Sequence, residues 1–301
     1  MKYKLIILFF IIFSLLLIPA FLIKKQYTPP NTKIKIITTL FPLYDFAKNI
    51  VKGKANVYLI LPHGTEPHSY EPKFSDIIKI NKANILIYTN KYMEPWIEDI
   101  LKGINNKNLL VIDTSKGINF NYENKQLDPH IWLDISNAKI MANNILNGLI
   151  NIDPHNKNYY IKNSIHYINK LDSLDKEYTK TLNKRKKHII ISSGHNAFNY
   201  LSKKYDFKCI APLSLSPDSE PSPKKISQII SLIKIHKIKY IYYEELLDPK
   251  LAKVISKETG IKLLMLNAAH NIKKSELENN VDYILIMQNN LKNLKIGLEC
   301  Q

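Results

Sequence analysis

The sequence predicts an α/β fold of two Rossmann-like lobes, each with a parallel sheet, joined by one long helix. Two series of short apolar runs, which alternate with helical patterns, predict the sheets. Between these series, residues 156–184 keep a helical pattern that no Gly or Pro interrupts. The length of 301 residues exceeds what one hydrophobic core usually fills, so it also favours two domains.

The first series occupies residues 33–113 and predicts the N-terminal sheet. Apolar runs rich in Ile, Val and Leu are typical of strands, and they lie at 34–40, 57–61, 83–88 and 109–113. Apolar residues at helical spacing lie between them, at 44–51, 73–82 and 95–101. Since strands and helices alternate, we expect a parallel sheet whose ligand-binding loops follow the carboxyl ends of the strands.

The second series begins at Lys187 and repeats this order. Strand patterns lie at 188–192, 208–211, 240–243 and 262–266. Helical patterns lie at 198–205, 223–236 and 249–259, and a terminal stretch at 281–298 completes the series. The repeated order predicts two similar lobes.

The long helix has a clear start signal. Asp153 offers an N-cap and Pro154 fits the first helical turn. The apolar residues that follow recur at helical spacing: Tyr160, Ile161, Ile165, Ile168, Leu171, Leu174, Tyr178 and Leu182. At about 1.5 Å per residue the helix would be roughly 40 Å long, enough to connect two lobes. We therefore divide the chain into an N-terminal lobe (33–155), a linking helix (156–185) and a C-terminal lobe (187–301).

Residues 1–25 predict an export signal. Lys2 and Lys4 precede an apolar stretch at 5–23, and two further lysines follow it. Because this stretch approaches the roughly 20 residues that span a bilayer, a cleaved signal peptide and a retained membrane anchor both remain open. Either alternative places the protein in the periplasm or on the extracytoplasmic face of the membrane.

Charge and cysteine content exclude some classes of function. The formal net charge is +17, but the lysines are scattered among Ile, Asn and Tyr rather than gathered on a basic face, so we expect no nucleic-acid partner. Cys209 and Cys300 are the two cysteines of the chain. They could pair in an oxidising compartment, but two cysteines in a chain of this length do not form a disulfide framework.

Three histidines occupy loop-like stretches that follow apolar runs. His68 lies in Pro-His-Ser-Tyr-Glu-Pro, His130 in Asp-Pro-His-Ile-Trp-Leu-Asp, and His195 in Gly-His-Asn-Ala-Phe. Imidazole is the commonest side-chain ligand of Zn²⁺, and a mononuclear site needs three or four such groups. The sequence therefore predicts one metal site built from these residues. His270 follows a predicted strand as well and could approach the same cleft.

Several motifs resemble those of the zinc/manganese substrate-binding proteins of ABC transporters, the metal-binding cluster A-I family. They are Pro-His-Ser-Tyr-Glu-Pro at 67–72, Glu-Pro-Trp at 94–96, Asp-Pro-His-Ile-Trp-Leu-Asp at 128–134, Gly-His-Asn-Ala-Phe-Asn-Tyr at 194–200 and Tyr-Glu at 243–244. The resemblance covers about residues 35–301. It implies an exported, monomeric, high-affinity metal receptor that delivers its ion to a membrane permease and is not an enzyme.

The resemblance also implies the ligands. His68 and His130 match the first-lobe ligands and His195 the third, where a histidine favours Zn²⁺ and a carboxylate would favour the alternative, Mn²⁺. Nitrogen-rich sites suit Zn²⁺ for the same reason. The fourth place stays open, because Asn267 stands where the family often has Asp, and water, Glu66 or His270 could fill it. The histidine-rich loop of many zinc members has no counterpart at 117–127.

Two other functions compete with metal transport. A zinc hydrolase would also use three histidines and a water molecule, but the sequence has no HExxH-type helix and no obvious paired base. A surface adhesin of the same fold is the other alternative, and the metal-ligating residues argue against a purely structural role.

Overall fold

Two parallel sheets of four strands each carry the fold in the computed structural model, which describes residues 33–123, 125–217 and 220–301. The predicted export signal lies outside these residues. Residues 34–301 form one compact unit. The strands are β1 (Ile34–Thr38), β2 (Ala55–Leu59), β3 (Ile85–Tyr88), β4 (Leu110–Asp113), a short hairpin of β5 (Tyr122–Glu123) and β6 (Gln126–Leu127), β7 (Ile189–Ser192), β8 (Lys208–Ile210), β9 (Tyr240–Tyr243) and β10 (Lys262–Met265).

Both sheets have the same topology. The first has the order β2-β1-β3-β4 and the second β8-β7-β9-β10, so each first strand lies between the second and the third. All of these pairings are parallel. The predicted fold class is therefore confirmed. In such sheets ligands bind beyond the carboxyl ends of the strands, where the strand order reverses, and here that point lies between β1 and β3 and between β7 and β9.

Helices connect the strands and cover the sheets. They are α1 (Phe41–Val51), α2 (Phe74–Asn81), α3 (Ile97–Gly103), α4 (Ile135–Ile152), α5 (Lys157–Leu182), α6 (Asn199–Lys204), α7 (Pro223–Ile235), α8 (Lys250–Thr259), α9 (Lys274–Glu278) and α10 (Tyr283–Gly297). Their ends follow local chemistry. Ser222 caps α7 ahead of Pro223, and α8 stops at Gly260, whose φ of 75° suits glycine. Within the described ranges, no helix has both the length and the apolar character needed to cross a bilayer.

Helix α4 was not predicted. Its sequence holds several asparagines and Gly148, which lower helix propensity. The helix is instead fixed by Asp134, whose side chain accepts a hydrogen bond from the Ser136 N–H at 2.7 Å, and by an apolar face that includes Met141 and Ile145. Gly148 lets the helix pack closely against β4, because an added Cβ would lie 2.2 Å from Ile112 Cδ1.

Each sheet is buried on both faces. In β1, Ile36 belongs to a large central cluster while Ile37 packs against the outer helices α2 and α3. In β7, Ile190 belongs to the central cluster while Ile191 packs against the outer helices α7 and α8. This alternation follows from the two-residue period of a strand. The central cluster contains residues of both sheets, so one apolar core extends through both lobes.

The long helix α5 contacts both lobes. It has 26 residues and is therefore about 39 Å long. The Tyr167 hydroxyl donates to Asp45 of α1 at 2.7 Å, and the Tyr178 hydroxyl donates to the Met287 carbonyl of α10 at 2.6 Å. The helix thus fixes the first lobe to the last helix of the second.

The two cysteines are free thiols. Cys209 is buried in the central cluster, and Cys300 is partly exposed and packs against it. The structure therefore contains no disulfide between them, and burial raises the pKa of both thiols.

Candidate metal centre

Four histidines meet between the two sheets. His68 lies in the loop after β2, and His130 follows β4 and the hairpin, directly before a 3₁₀ turn at Ile131–Leu133. His195 follows β7, and His270 follows β10. One nitrogen of each ring lies within 4.8 Å of one nitrogen of every other ring. The three histidines singled out in the sequence are therefore brought together, and His270 joins them.

The four rings occupy the corners of a nearly regular tetrahedron. All six distances between ring centroids fall between 5.1 and 5.4 Å. The centre of such a tetrahedron is about 3.2 Å from each centroid, which equals a zinc–nitrogen bond of about 2.1 Å plus about 1.1 Å to the middle of the ring. Nε2 of His130 lies 3.1 Å from Nε2 of His68 and 3.2 Å from Nε2 of His195. These nitrogen–nitrogen distances are close to the roughly 3.3 Å that tetrahedral zinc requires.

Burial keeps most of these rings in the neutral form that binds metal. It lowers the pKa of His68 to about 2, with His130 and His195 adding to the effect. Burial and the other three imidazoles lower the pKa of His270 well below its ordinary value. The pKa of His130 is also lowered by burial, although Asp128 acts in the opposite direction.

Two carboxylates hold two of the rings. Asp128 Oδ1 accepts from Nδ1 of His130 at 2.7 Å and from its backbone N–H at 3.0 Å. Glu244 Oε2 lies 2.8 Å from Nδ1 of His195, while Oε1 accepts the His195 backbone N–H at 2.8 Å. Burial lowers the pKa of His195, but the carboxylates of Glu244, Glu66 and Asp128 act in the opposite direction, and the net shift is upward. The hydrogen bond with Asp128 fixes the tautomer of His130 that presents Nε2 to a metal, and both carboxylates add negative charge beside a dication.

The loop that carries His195 depends on a glycine. A Cβ on Gly194 would lie 1.7 Å from Glu244 Oε1, so only glycine permits the carboxylate to approach the backbone this closely. Glu244 itself follows β9, the neighbour of β7, at the point where the strand order reverses. The Tyr-Glu motif at 243–244 predicts no role for Glu244 by itself. A carboxylate directly after a predicted strand was the available signal.

His270 lies in a strained, buried segment. Ala269 has a φ of 56°, and its N–H donates to Asn267 Oδ1 at 2.7 Å. His270 is 1% exposed, and its Nε2 has no hydrogen-bond partner in the described part of the chain. A buried ring nitrogen without a protein partner is expected where a metal takes its lone pair.

The other two candidates for the fourth place lie differently. The side-chain oxygen of Asn267 is used by Ala269, and its backbone is held by the Asn290 side chain at 2.8 and 2.7 Å. Glu66 accepts the His68 N–H at 3.2 Å and is close enough to raise the pKa of His195. The group of ligand atoms that lie within 4.8 Å of one another includes a nitrogen of His270 but no oxygen of Glu66.

His68 is the ring nearest to solvent. His130, His195 and His270 are at most 1% exposed, whereas His68 is only partly buried. His68 also lines a surface cavity of about 650 Å³ together with Tyr92 and Leu215. An ion can therefore reach the cluster from that side.

Known proteins are similar to this chain in sequence and fold. Residues 36–297 match the family model ZnuA, described as the periplasmic component A of the zinc-uptake complex. The high-affinity zinc uptake system protein ZnuA of Bacillus subtilis is 36% identical over 281 residues, which are 88% of each chain. The zinc-binding lipoprotein AdcA of Streptococcus pneumoniae is 35% identical over 278 residues, 87% of this chain but 55% of AdcA. This chain thus spans about half of that relative.

Solved structures agree with the fold. The Zn(II)-bound ZnuA-like domain of Streptococcus pneumoniae AdcA superposes with a TM-score of 0.79 at 36% identity, and the match covers 89% of this chain and 99% of that domain. The laminin-binding protein Lmb of Streptococcus agalactiae, described as having adhesin and metal-transporting activity, has a TM-score of 0.80 at 28% identity and covers 89% and 100%.

Proposed function

This chain belongs to the ZnuA family of zinc-uptake components, and we propose that it is an exported receptor that binds one Zn²⁺ with high affinity and delivers it to the permease of an ABC transporter. The ion is its cargo. His68, His130, His195 and His270 hold the ion between the two lobes. The protein acts as a monomer outside the cytoplasm.

The observation that carries this proposal is the tetrahedron of four imidazoles. Its edges of 5.1 to 5.4 Å fit tetrahedral zinc. Loops that follow strands of both sheets contribute to it, and six nearly equal distances are the arrangement that a tetrahedral site requires. His270 Nε2 is buried without a hydrogen-bond partner in the described part of the chain, and four buried imidazoles this close together are unfavourable on their own. An ion that takes their lone pairs explains why the fold places them there.

The donor set favours zinc over manganese. Four neutral nitrogens suit Zn²⁺, whereas Mn²⁺ prefers oxygen ligands and higher coordination, and it binds more weakly to any given site of this kind. His270 therefore strengthens the preference that His195 already gives, because with it the fourth place holds a nitrogen instead of an oxygen.

The same geometry argues against a zinc hydrolase. Catalytic zinc sites keep an open position for water beside three protein ligands. In the proposed site the His270 imidazole would fill that position, and the three most buried rings are at most 1% exposed. A site that is filled on all four sides suits storage and release of the ion rather than turnover.

A zinc titration with single variants tests the proposal. The protein, stripped of metal, should bind one equivalent of Zn²⁺, and alanine at His68, His130, His195 or His270 should weaken binding by about 100-fold or more. His155→Ala is the matched control, because His155 is exposed and also follows Asp-Pro. Equal affinities of H155A and all four site variants would refute the assignment. Loss in three variants but not in H270A would give the fourth place to water, Asn267 or Glu66.

Adhesion is a second candidate because the Lmb structure shares the fold. Its test is binding of laminin to the zinc-loaded and zinc-free protein. Binding that does not depend on zinc would indicate a separate adhesive function, whereas no binding would leave metal delivery as the function.

A further inference from the structure

The segment after β10 leaves the second sheet and binds to the first lobe. We call residues 266–272 the strap. The Trp132 indole N–H donates to the Ala268 carbonyl at 2.8 Å, and the N–H of Phe41 donates to the His270 carbonyl at 3.2 Å. The strap therefore attaches His270, a residue of the second half of the chain, to the first lobe.

Asn271 ties the strap to the loop that carries His68. Its side chain is 1% exposed, and Nδ2 donates to the carbonyls of Pro62 and Thr65 at 2.7 and 2.8 Å. Both N–H groups of one amide are thus used on one turn. The backbone adds a further link, since Gly64 N–H donates to the Ile272 carbonyl at 3.1 Å.

The turn that Asn271 holds lies partly at the protein surface. Its Pro62 and Gly64 are exposed, and Gly64 has a φ of 77°. Inside the turn, Thr65 N–H donates to the Pro62 carbonyl at 3.1 Å. Three residues later comes His68, the least buried of the four imidazoles. A ligand on a surface loop loses conformational entropy when it binds a metal unless the loop is already fixed.

We propose that Asn271 is a positioning residue of the metal centre, which fixes the loop of His68 to the strap of His270 before the ion arrives. This inference rests on the proposed zinc-binding function. One buried amide joins the neighbours of two candidate ligands that come from opposite halves of the chain. Trp132 and Phe41 also hold the strap beside His270, so we expect the contribution of Asn271 to affinity to pass mainly through His68.

A double-mutant cycle tests the inference. In the otherwise native protein, Asn271→Ala should raise the Kd for Zn²⁺ by about tenfold or more, within the range found for residues that orient metal ligands. In a His68→Ala background the same change should alter the Kd by less than about twofold, because the ligand that Asn271 positions is gone. Asn271→Ser, which keeps one short donor, should give a smaller loss with the same dependence on His68, and it replaces N271A if that variant does not fold.

Asn163→Ala is the matched control. Asn163 is also a buried asparagine, and its Nδ2 donates to the Ile50 carbonyl at 3.0 Å at the far end of α1. Its loss should lower the stability of the fold and leave the Kd for Zn²⁺ within about twofold. The visible spectrum of the Co²⁺-loaded protein provides a second readout, and it should change in N271A but not in N163A.

The outcomes separate the two proposals. A wild-type protein that binds no zinc would overturn the proposed function and this inference together. Two results would overturn this inference alone, provided that the wild type binds zinc normally. One is an equal Kd for N271A and N163A. The other is an equal loss of zinc affinity on Asn271→Ala in the native protein and in the His68→Ala background.

Discussion

Replacement of Glu244 by Gln should weaken zinc binding through His195, which the substitution leaves in place. Glu244 faces Nδ1 of His195 at 2.8 Å and accepts its backbone N–H at 2.8 Å. Glutamine has nearly the same size but only one oxygen, so it can satisfy one of these groups and must present an N–H to the other. Loss of a carboxylate that orients a ligating histidine costs about 10- to 100-fold in metal affinity, or about 1.4–2.8 kcal/mol.

Isothermal titration of the metal-free protein with Zn²⁺ in the presence of a competing chelator would measure this change. Glu94→Gln is the matched control. Glu94 follows β3, the counterpart of β9, and is also buried, but the hydrogen bonds that it accepts come from Thr39, Thr89 and Asn90. The same Kd for E244Q and E94Q would show that the carboxylate beside His195 has no special role.

Three further predictions concern the backbone, pH and ligand linkage. Gly194→Ala should lower zinc affinity at least tenfold, because the added Cβ would lie 1.7 Å from Glu244 Oε1. Gly103→Ala should leave the affinity unchanged, because nothing lies within 4 Å of a Cβ at that position. Equal Kd values in zinc titrations of the two variants would contradict this prediction. Burial raises the pKa of Asp45 to about 7. Between about pH 4 and 7 the folded state therefore binds more protons than the unfolded state. As the pH rises through that window, ionisation of Asp45 lowers the free energy of unfolding by up to roughly 4 kcal/mol. Urea unfolding of the metal-free protein should show a flatter pH dependence in Asp45→Asn, and parallel curves would refute this assignment. Free Zn²⁺ at 1,000 times the Kd should stabilise the fold by about 4 kcal/mol and raise the melting temperature by about 10 °C, which a chelator should reverse; an unchanged melting temperature would refute selective binding to the folded state.

The order of strands and helices was accessible from the sequence because burial on two faces leaves long apolar runs. The strand predicted at 240–243 matches β9, and the helix predicted at 223–236 matches α7 to within one residue. Helix α4 was not predicted, because its asparagines and Gly148 obscure the helical spacing of its apolar residues. Its apolar face, from Ala138 to Leu149, appears at helical spacing only when Asp134 is first taken as the cap.

The limit of local reasoning is clearest at the fourth ligand position. In the sequence, Asn267, water, Glu66 and His270 were open alternatives, because Asn267 stands where the family often has Asp. The backbone conformation of Ala269 and the hydrogen bonds of the strap turn His270 toward the other rings, while Asn267 Oδ1 turns to the backbone. Such a choice depends on contacts between segments 200 residues apart, for example Asn271 with Pro62.

By itself the sequence determined the two α/β lobes, the long helix between them and three histidines at strand ends, because periodicity and loop chemistry are local properties of the chain. Only the tertiary structure decided that four imidazoles, rather than three, form one tetrahedron, and that Asp128 and Glu244 orient two of them. The physical reason is that coordination geometry is a matter of distances between side chains far apart in sequence. Those distances are set by the packing of both sheets and α5 around a single core.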